Sequence, residues 1–536
     1  MEDENGERYL ALFDQYGNQS FGYSHERIIG AIEEQLASRR LNSTKIMFEV
    51  EQIRLSSRLS ELTGGRLPYA YLANGGGESI DNALKLARAS TGRPGFVTAI
   101  DCFHGKTLAA LSASGRAEHA RLFSPFLEHF RQVPFNDIAA MEAALDGDIA
   151  AVLLEPVLAE GGVIVPDPDY LAAVRRLCTE AGALLILDEM QTAFGRCGTF
   201  FAFEHFGIAP DLVCIGKAFG GGVLPLSAVL GTAEVWETLR ALPSTFGSSL
   251  GGNPLSCRVG LEAIELARDS QFQDDVSAKG EIIAERLDAL AARFPELIAA
   301  HRGIGMMHGL EFHDESLGGM VLSLLLRERV TSTYSLYNNR VLRVQPPMVI
   351  SRTDLLRGLD VLERVLSQVD RRRRDFPLNT VPSSPVAASR VVALPPAALR
   401  DLLHRRPRLL DPFAVRPDDE TDANRQEDFV GTLGTDPVVW TDEIERPTDG
   451  IVVRAVPDWL WHRLDRAVRV SAVPGDDGRC RVDVRIDWDT GSLSYEPMLA
   501  GHLGPFVTDR LTALLDHLGE LAAAAVQQRP PSTVGS

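Results

Sequence analysis

Cations are scarce in this chain. Its 54 lysines and arginines face 73 aspartates and glutamates, a formal net charge of -19. That sign excludes nucleic acid as the main partner, because phosphate binding needs clustered positive charge, and it favours solubility. Long apolar runs are missing as well. None reaches the roughly 18–20 residues that a membrane-spanning helix requires, so no membrane partner is expected. Met1 is followed by Glu2, Asp3 and Glu4, the reverse of the positive start of a secretory leader. Cysteine is sparse too. Cys102, Cys178, Cys197, Cys214, Cys257 and Cys480 are scattered without a C-x-x-C pair, which reads as reduced, mostly buried thiols of a cytoplasmic protein. No metal site is expected.

What remains is a globular balance, 45% hydrophobic and 24% charged, over 536 residues, too long for one ordinary domain. Residues 1–370 read as one α/β unit in which strand-length apolar runs alternate with amphipathic stretches. Ile149–Leu154 and Leu184–Leu187 are continuous apolar runs of the kind buried parallel strands show. Leu171–Ala181 between them has helical spacing, with Gly182 placed to terminate it. Such alternation predicts a doubly wound, mostly parallel sheet with ligands at the carboxyl ends of its strands. Residues 371–396, a basic run followed by a Pro- and Ser-rich stretch, read as a linker. Residues 397–526 form an extra α+β domain of unknown role. In it Arg481–Trp488 alternates as a half-buried strand, Thr490–Gly491 is a turn, and Leu503, Val507, Leu511, Leu514, Leu518 and Leu521 mark one helical face. Residues 527–536 are expected to be disordered.

Three stretches carry chemistry. The strand Leu184–Leu187 ends in Asp188-Glu189, placing an acid at the sheet edge. A pyridoxal 5'-phosphate (PLP) enzyme needs a carboxylate there to keep the pyridine nitrogen protonated, although a metal-binding acid or a helix cap also fits. A second apolar strand, Leu212–Ile215, ends in Gly216-Lys217-Ala218-Phe219 and three glycines. A lone lysine in a desolvated place is a candidate nucleophile; a phosphate loop is the alternative, but the order of residues is wrong for a P-loop. Asn74-Gly75-Gly76-Gly77-Glu78-Ser79 opens a helical stretch, either an anion site at a helix N-terminus or a plain glycine turn.

The order N-G-G-G-E-S, F-H-G-K-T, E-P-V-L-A-E-G-G-V-I-V-P, L-D-E-M-Q-T-A-F-G-R, G-K-A-F-G-G-G, G-G-N-P-L and L-R-V-Q-P-P resembles the class III aminotransferases, the ornithine, acetylornithine and ω-amino-acid type. The resemblance covers about 370 residues. It implies a PLP-dependent transferase of fold type I: a large domain of mixed, mostly parallel sheet (about 45–255) and a small α+β domain (1–44 with 256–370). It implies a Schiff base of PLP on Lys217, which also moves the substrate proton, with Asp188 on the pyridinium nitrogen. Gln191 would bond the phenolic oxygen, Phe103 would stack on the ring, and His104 beside it joins the cofactor-binding set. Gly76 and Gly77 would hold the phosphate, together with Ser249 of a neighbouring subunit, so a homodimer with shared sites is implied. Arg343 would fork a substrate carboxylate, Glu160 would gate that arginine, and Lys106 belongs to the substrate region.

The departures from the family pattern cluster around substrate. Lys106 stands where many members have Arg, while Leu158 and Ala159 replace Gln and Gly. The chain starts so close to the first family strand that an arm over the active site is expected to be largely missing. The leading expectation is therefore an aminotransferase-like enzyme acting on an α-amino acid and a second oxo or electrophilic substrate, in specialised metabolism. The alternatives are a PLP enzyme coupling β- or γ-elimination to carbon–carbon bond formation, for instance on an S-adenosylmethionine-like amino acid, and a non-catalytic PLP-binding regulator.

Overall fold

The computed structural model describes residues 1–2, 6–43, 47–116, 122–240, 246–375, 386–392, 429–433, 436–445, 451–457, 465–474 and 480–489, with the single positions 512, 515 and 516. The chain divides into two units, Met1–His313 with Arg329–Arg364, and Asp314–Glu328 with Val365–Ser536.

The first unit opens with a short strand β1 (Leu10–Ala11) and helices α1 (Glu26–Ser38) and α2 (Val50–Leu62). A seven-stranded sheet follows: β2 (Tyr69–Ala73), β3 (Gly95–Ala99), β4 (Phe130–Val133), β5 (Ile149–Leu154), β6 (Leu184–Asp188), β7 (Leu212–Ile215) and β8 (Ser227–Gly231). Its order is β2-β8-β7-β6-β5-β3-β4. Only β8 runs against the rest, antiparallel to both β7 and β2. Helix α3 (Gly76–Thr91) starts three residues after β2 and packs on the sheet, burying Ile80, Ala83, Leu84, Leu86 and Ala87 in the core with Phe96, Leu153 and Ile186.

The central strands β3, β5 and β7 are buried along their whole length. This explains why they read as unbroken apolar runs: both faces of a parallel sheet are covered by helices. The helix expected at Leu171–Ala181 runs Tyr170–Ala181, and Gly182 ends it at φ 64°, its N–H bonding back to Cys178 and Thr179 carbonyls. Five of the cysteines, Cys102, Cys178, Cys197, Cys214 and Cys257, are buried free thiols. A second, antiparallel sheet of β9 (Ile298–Ile304), β10 (Met307–Phe312), β12 (Thr333–Ser335) and β13 (Asn338–Val344) has the order β12-β13-β10-β9. Strand β11 (Val330–Thr331) pairs instead with β1, in parallel. Among the described residues no helix is long and apolar enough to cross a membrane.

The second unit holds a six-stranded antiparallel sheet whose strands lie in the order Val386–Val392, Cys480–Asp489, Asp465–Pro474, Ile451–Pro457, Asp436–Glu445, Phe429–Leu433. Its strands are β14 (Val386–Val392), β15 (Phe429–Leu433), β16 (Asp436–Glu445), β17 (Ile451–Pro457), β18 (Asp465–Pro474) and β19 (Cys480–Asp489). The alternating stretch Arg481–Trp488 lies inside β19. The stretch expected as a linker, 371–396, differs from that reading. A helix, Arg352–Asp375, runs through its start, and Val386–Val392 pairs residue for residue with Cys480–Ile486. Cations are compatible with a helix C-terminus, and a run of Val and Ala completes a sheet edge as readily as it fills a linker. The Thr490–Gly491 turn, nearly all of the helical face from Leu503 to Leu521 and the tail 527–536 lie outside the described residues.

Candidate active site

The carboxyl ends of β5, β6 and β7 bring three ionisable side chains to one edge. Each strand is apolar to its last residue, so the first polar group appears where the strand leaves the core. Glu155 follows β5, Asp188 closes β6, and Lys217 comes two residues after β7. Asp188 is buried. Its Oδ2 lies 2.9 Å from His104 Nδ1, and its Oδ1 accepts the Met190 N–H at 3.1 Å. A carboxylate can only accept, so His104 donates from Nδ1. Burial opposes charge on the ring, but Cys102 and Asp188, both against it, outweigh this and hold the His104 pKa well above its ordinary value.

Lys217 is half-buried and sits at φ 51°, a left-handed conformation unusual for a side-chain-bearing residue and characteristic of strained functional positions. The preceding Gly216 packs closely on Met190: a Cβ there would lie 2.6 Å from Met190 Sδ, and the methionine would have to move. Burial pushes the Lys217 amine below its ordinary pKa, while Asp188, Glu160 and Glu155 pull it back up and Arg343 pushes it further down. The net lowering enlarges the neutral, nucleophilic fraction.

A cradle forms at the start of α3. Its N-cap, Gly75, gives no side-chain hydrogen bond to the first turn, so amide N–H groups there remain available to an anion. The loop 103–107 packs directly on this turn. A Cβ on Gly77 would come 2.8 Å from Thr107 Cγ2, and Gly105, at φ 123°, has its Cβ position 3.2 Å from Gly77 Cα. That contact brings Phe103 and His104 to the helix start. Phe103 stands edge-on to Tyr337, ring centroids 5.8 Å apart, and the Arg116 guanidinium lies 4.1 Å over the Tyr337 ring.

The fourth part is a buried polar network. Arg343 on β13 donates from Nη1 to Glu160 Oε1 at 2.7 Å and from Nη2 to Gln191 Oε1 at 2.9 Å. Gln191 Nε2 donates to the same Glu160 oxygen at 2.8 Å, and Glu160 Oε2 accepts the Leu336 N–H at 3.0 Å. Burial disfavours the Glu160 charge, yet Arg343 and the hydrogen bonds outweigh it, so its pKa lies below the ordinary value.

The sequence-predicted residues Lys217, Asp188, His104, Gln191, Glu160 and Arg343 are thus linked by contact or by charge, and Gly76, Gly77 and Phe103 adjoin them. Lys106 is exposed. Ser249 is exposed as well, while its neighbour Ser248 accepts hydrogen bonds from Asn74 Nδ2 at 3.0 Å and the Gly251 N–H at 3.2 Å. Sequence reasoning passed over Glu155, Tyr337, Asp14 and Gln345. It also passed over the turn at Gly17. A Cβ on Gly17 would lie 3.5 Å from Lys217 Cδ and 3.6 Å from Gln191 Cα, so the first strand's following turn reaches the lysine. The signal available was Gln15-Tyr16-Gly17-Asn18, a turn sequence.

Two buried acids give a stability prediction. Burial raises the carboxyls of Glu155 and Glu189 from 4.5 to about 7. Glu189 accepts the Phe203 N–H at 2.9 Å and the Thr192 hydroxyl. The native state therefore binds more protons than the unfolded state between those values, and stability falls as pH rises through that window. At about 1.4 kcal/mol per pH unit, one such acid contributes at most about 3 kcal/mol. Glu189→Gln should flatten the decline in melting temperature of the cofactor-free protein between about pH 5 and pH 8, measured by thermal denaturation; an undiminished slope would show that Glu189 does not titrate in this range.

The residues present suit PLP. An uncapped glycine-rich helix start matches a phosphate, a buried carboxylate on a histidine matches a pyridinium, and a lysine with a lowered pKa matches an aldehyde. Sheet and site together suit a PLP transferase of the mostly parallel type. The chain belongs to the aminotransferase class-III family, whose sequence model matches residues 1–366. It is 38% identical to a putrescine aminotransferase of Pectobacterium atrosepticum over 377 residues, 69% of this chain and 80% of that protein. Among solved structures it is similar to the ornithine aminotransferase of Toxoplasma gondii, with TM-score 0.66 and 30% identity, covering 69% of this chain and 89% of that one. A taurine:2-oxoglutarate aminotransferase of Bifidobacterium kashiwanohense, solved with PLP and glutamate, shares the fold at TM-score 0.64 and 23% identity over 69% of this chain and 91% of that one. The protein is a PLP-dependent transferase.

Proposed function

We propose that the enzyme moves an amino group between two substrate pairs: an α-amino acid with its 2-oxo acid, bound through Arg343, and an amine whose chain carries no carboxylate at that position. The observation that carries this reading is the buried Glu160–Arg343 pair at 2.7 Å. A substrate arm without a carboxylate can lie beside the closed pair. A substrate carboxylate can replace Glu160 on the arginine, forming two parallel charge-assisted bonds. The first relative is named for putrescine, a diamine without a carboxylate, which supports the first of these modes.

In this reading Gly76 and Gly77 would hold the phosphate, Phe103 would cover the ring, Gln191 would bond the phenolic oxygen, and Asp188, oriented by His104, would keep the ring nitrogen protonated. Bound there, PLP supplies an electron sink that acidifies the C–H bond next to the substrate nitrogen and stores the amino group between half-reactions. Lys217 would hold the cofactor, and its lowered-pKa amine would carry the proton from the substrate carbon. Leu158 and Ala159, both buried, exclude water from the wall beside Glu160.

A homodimer with Ser249 completing the partner's phosphate site is part of the proposal. Phe48 (95% exposed), Met47 (72%) and Leu250 (69%), the last beside Ser249, leave apolar surface open in the single chain. The buried free thiols support a cytoplasmic location. The unit beyond residue 366, outside the family match, supports a specialised role.

The test is a half-reaction. The holoenzyme is mixed with diamines and α-amino acids without acceptor, and products are quantified by mass. One oxo or aldehyde product per cofactor, with pyridoxamine phosphate formed, supports transamination. Loss of a side-chain group with PLP regenerated would replace it with elimination chemistry. Arg343→Leu should raise KM for a dicarboxylic 2-oxo acid at least about 30-fold, by removing two charge-assisted bonds.

A further inference from the structure

Arg343 has a second neighbour that the gate does not explain. Gln345 lies two residues on, just past the end of β13, and its backbone N–H bonds to the Leu12 carbonyl at 2.9 Å, pinning it to the N-terminal segment. Its side chain is fully buried. Its Oε1 accepts from Arg343 Nη2, and its Nε2 donates to Asp14 Oδ1 at 2.9 Å. The amide has only one possible orientation, because the arginine can only donate and the carboxylate can only accept. Asp14 is held in turn. Its Oδ2 accepts from Arg196 Nη2 at 2.6 Å and from Ser20 Oγ at 2.9 Å, and its Oδ1 also accepts the Gly17 N–H at 2.9 Å. Arg196, fully buried, donates to the carbonyls of Met306 at 3.0 Å and Pro346 at 2.8 Å. The result is a charge-alternating line, Arg196, Asp14, Gln345, Arg343, Glu160, with a polarised amide as its middle link. In a low-dielectric interior such links strengthen one another.

We propose that Gln345, oriented by Asp14, is a positioning residue that fixes the plane of the Arg343 guanidinium and so sets the enzyme's preference for a carboxylate-bearing oxo acid. The proposal rests on the reading of Arg343 as the carboxylate fork. When Glu160 and Gln191 give way to a substrate, Nη1 and one N–H of Nη2 lose their partners while Gln345 keeps hold of the other Nη2 N–H. The fork then meets the incoming carboxylate already aligned, and bidentate recognition depends on that alignment. Because Asp14 and Gly17 belong to one turn, the same anchor also sets the wall that touches Lys217.

The experiment compares Gln345→Leu, Gln345→Glu and Arg343→Leu as holoenzymes, measuring each half-reaction separately. For Gln345→Leu we expect KM for a dicarboxylic 2-oxo acid to rise at least about 10-fold, while the diamine half-reaction changes less than about 3-fold. A merely structural role would depress both half-reactions together. Gln345→Glu keeps the shape but sets a second carboxylate beside Asp14 and on Arg343. It should raise the same KM at high pH and recover as the pH falls and the two acids share a proton, a profile the parent enzyme lacks. An unchanged KM in Gln345→Leu beside a raised KM in Arg343→Leu overturns the proposal and leaves the fork reading intact. An unchanged KM in Arg343→Leu overturns both. Should Gln345→Leu fail to fold, a flat pH profile in Gln345→Glu overturns the proposal by itself.

Discussion

Lys217→Ala should abolish amino-group transfer, lowering turnover by at least about 10⁴-fold, because in the proposed function it removes both the covalent anchor and the proton carrier in one substitution. Burial lowers the pKa of this amine while three carboxylates and Arg343 surround it electrostatically. The variant should still bind PLP, since the glycine cradle, Phe103 and Asp188 remain, and absorbance together with mass will show a cofactor that is held but not attached. Retained turnover would remove Lys217 from the mechanism. The same variant tests the shared site. Mixed with Ser249→Asp, whose added charge opposes a phosphate, it should restore activity: in a mixed dimer one site has both Lys217 and Ser249 intact. Random re-pairing then yields about a quarter of the parent activity, half the dimers each with one good site. No recovery on re-pairing would place Ser249 outside the partner's site.

Asp188→Asn carries the second large effect. An asparagine can accept from His104 Nδ1 only through its carbonyl, which sets its NH₂ where Oδ1 accepted the Met190 N–H and leaves a neutral amide in place of the carboxylate. Without the carboxylate charge a protonated ring nitrogen would lose its stabilising partner, and the electron sink would weaken. Turnover should fall about 10³-fold, equivalent to about 4 kcal/mol of barrier, with circular dichroism unchanged and PLP still attached to Lys217. A loss of less than about tenfold would show that another group keeps the nitrogen protonated. His104→Ala should move the same way by a smaller factor, since it removes only the partner that orients Asp188.

Most of the catalytic edge was legible because each of its residues is marked locally. An apolar strand that stops at Asp188, another that stops at Gly216-Lys217, and glycines before a helix are patterns confined to about ten residues, and their conformations follow from strand burial and backbone freedom. The helix Tyr170–Ala181 and its Gly182 stop were readable for the same reason. Strand β14 within 371–396 was not legible because local composition cannot tell a proline-rich connection from one that includes an edge strand: β14 exists through its pairing with Cys480–Ile486, about ninety residues away.

The sequence by itself determined which residues could do chemistry here: the lysine, the aspartate, the glycine cradle and the arginine, each written in a short motif. Only the tertiary structure decided what those residues lean on. Asp14 and Gln345 are 331 positions apart, and Glu160 and Arg343 are 183 apart. They meet because β13 pairs with β10 and the N-terminal segment runs alongside its end. Gly17 lies against Lys217 by the same route. Local patterns fix the backbone of each element, whereas the neighbours of a buried charge are chosen by which elements pack together, and buried charges persist only where that packing supplies partners.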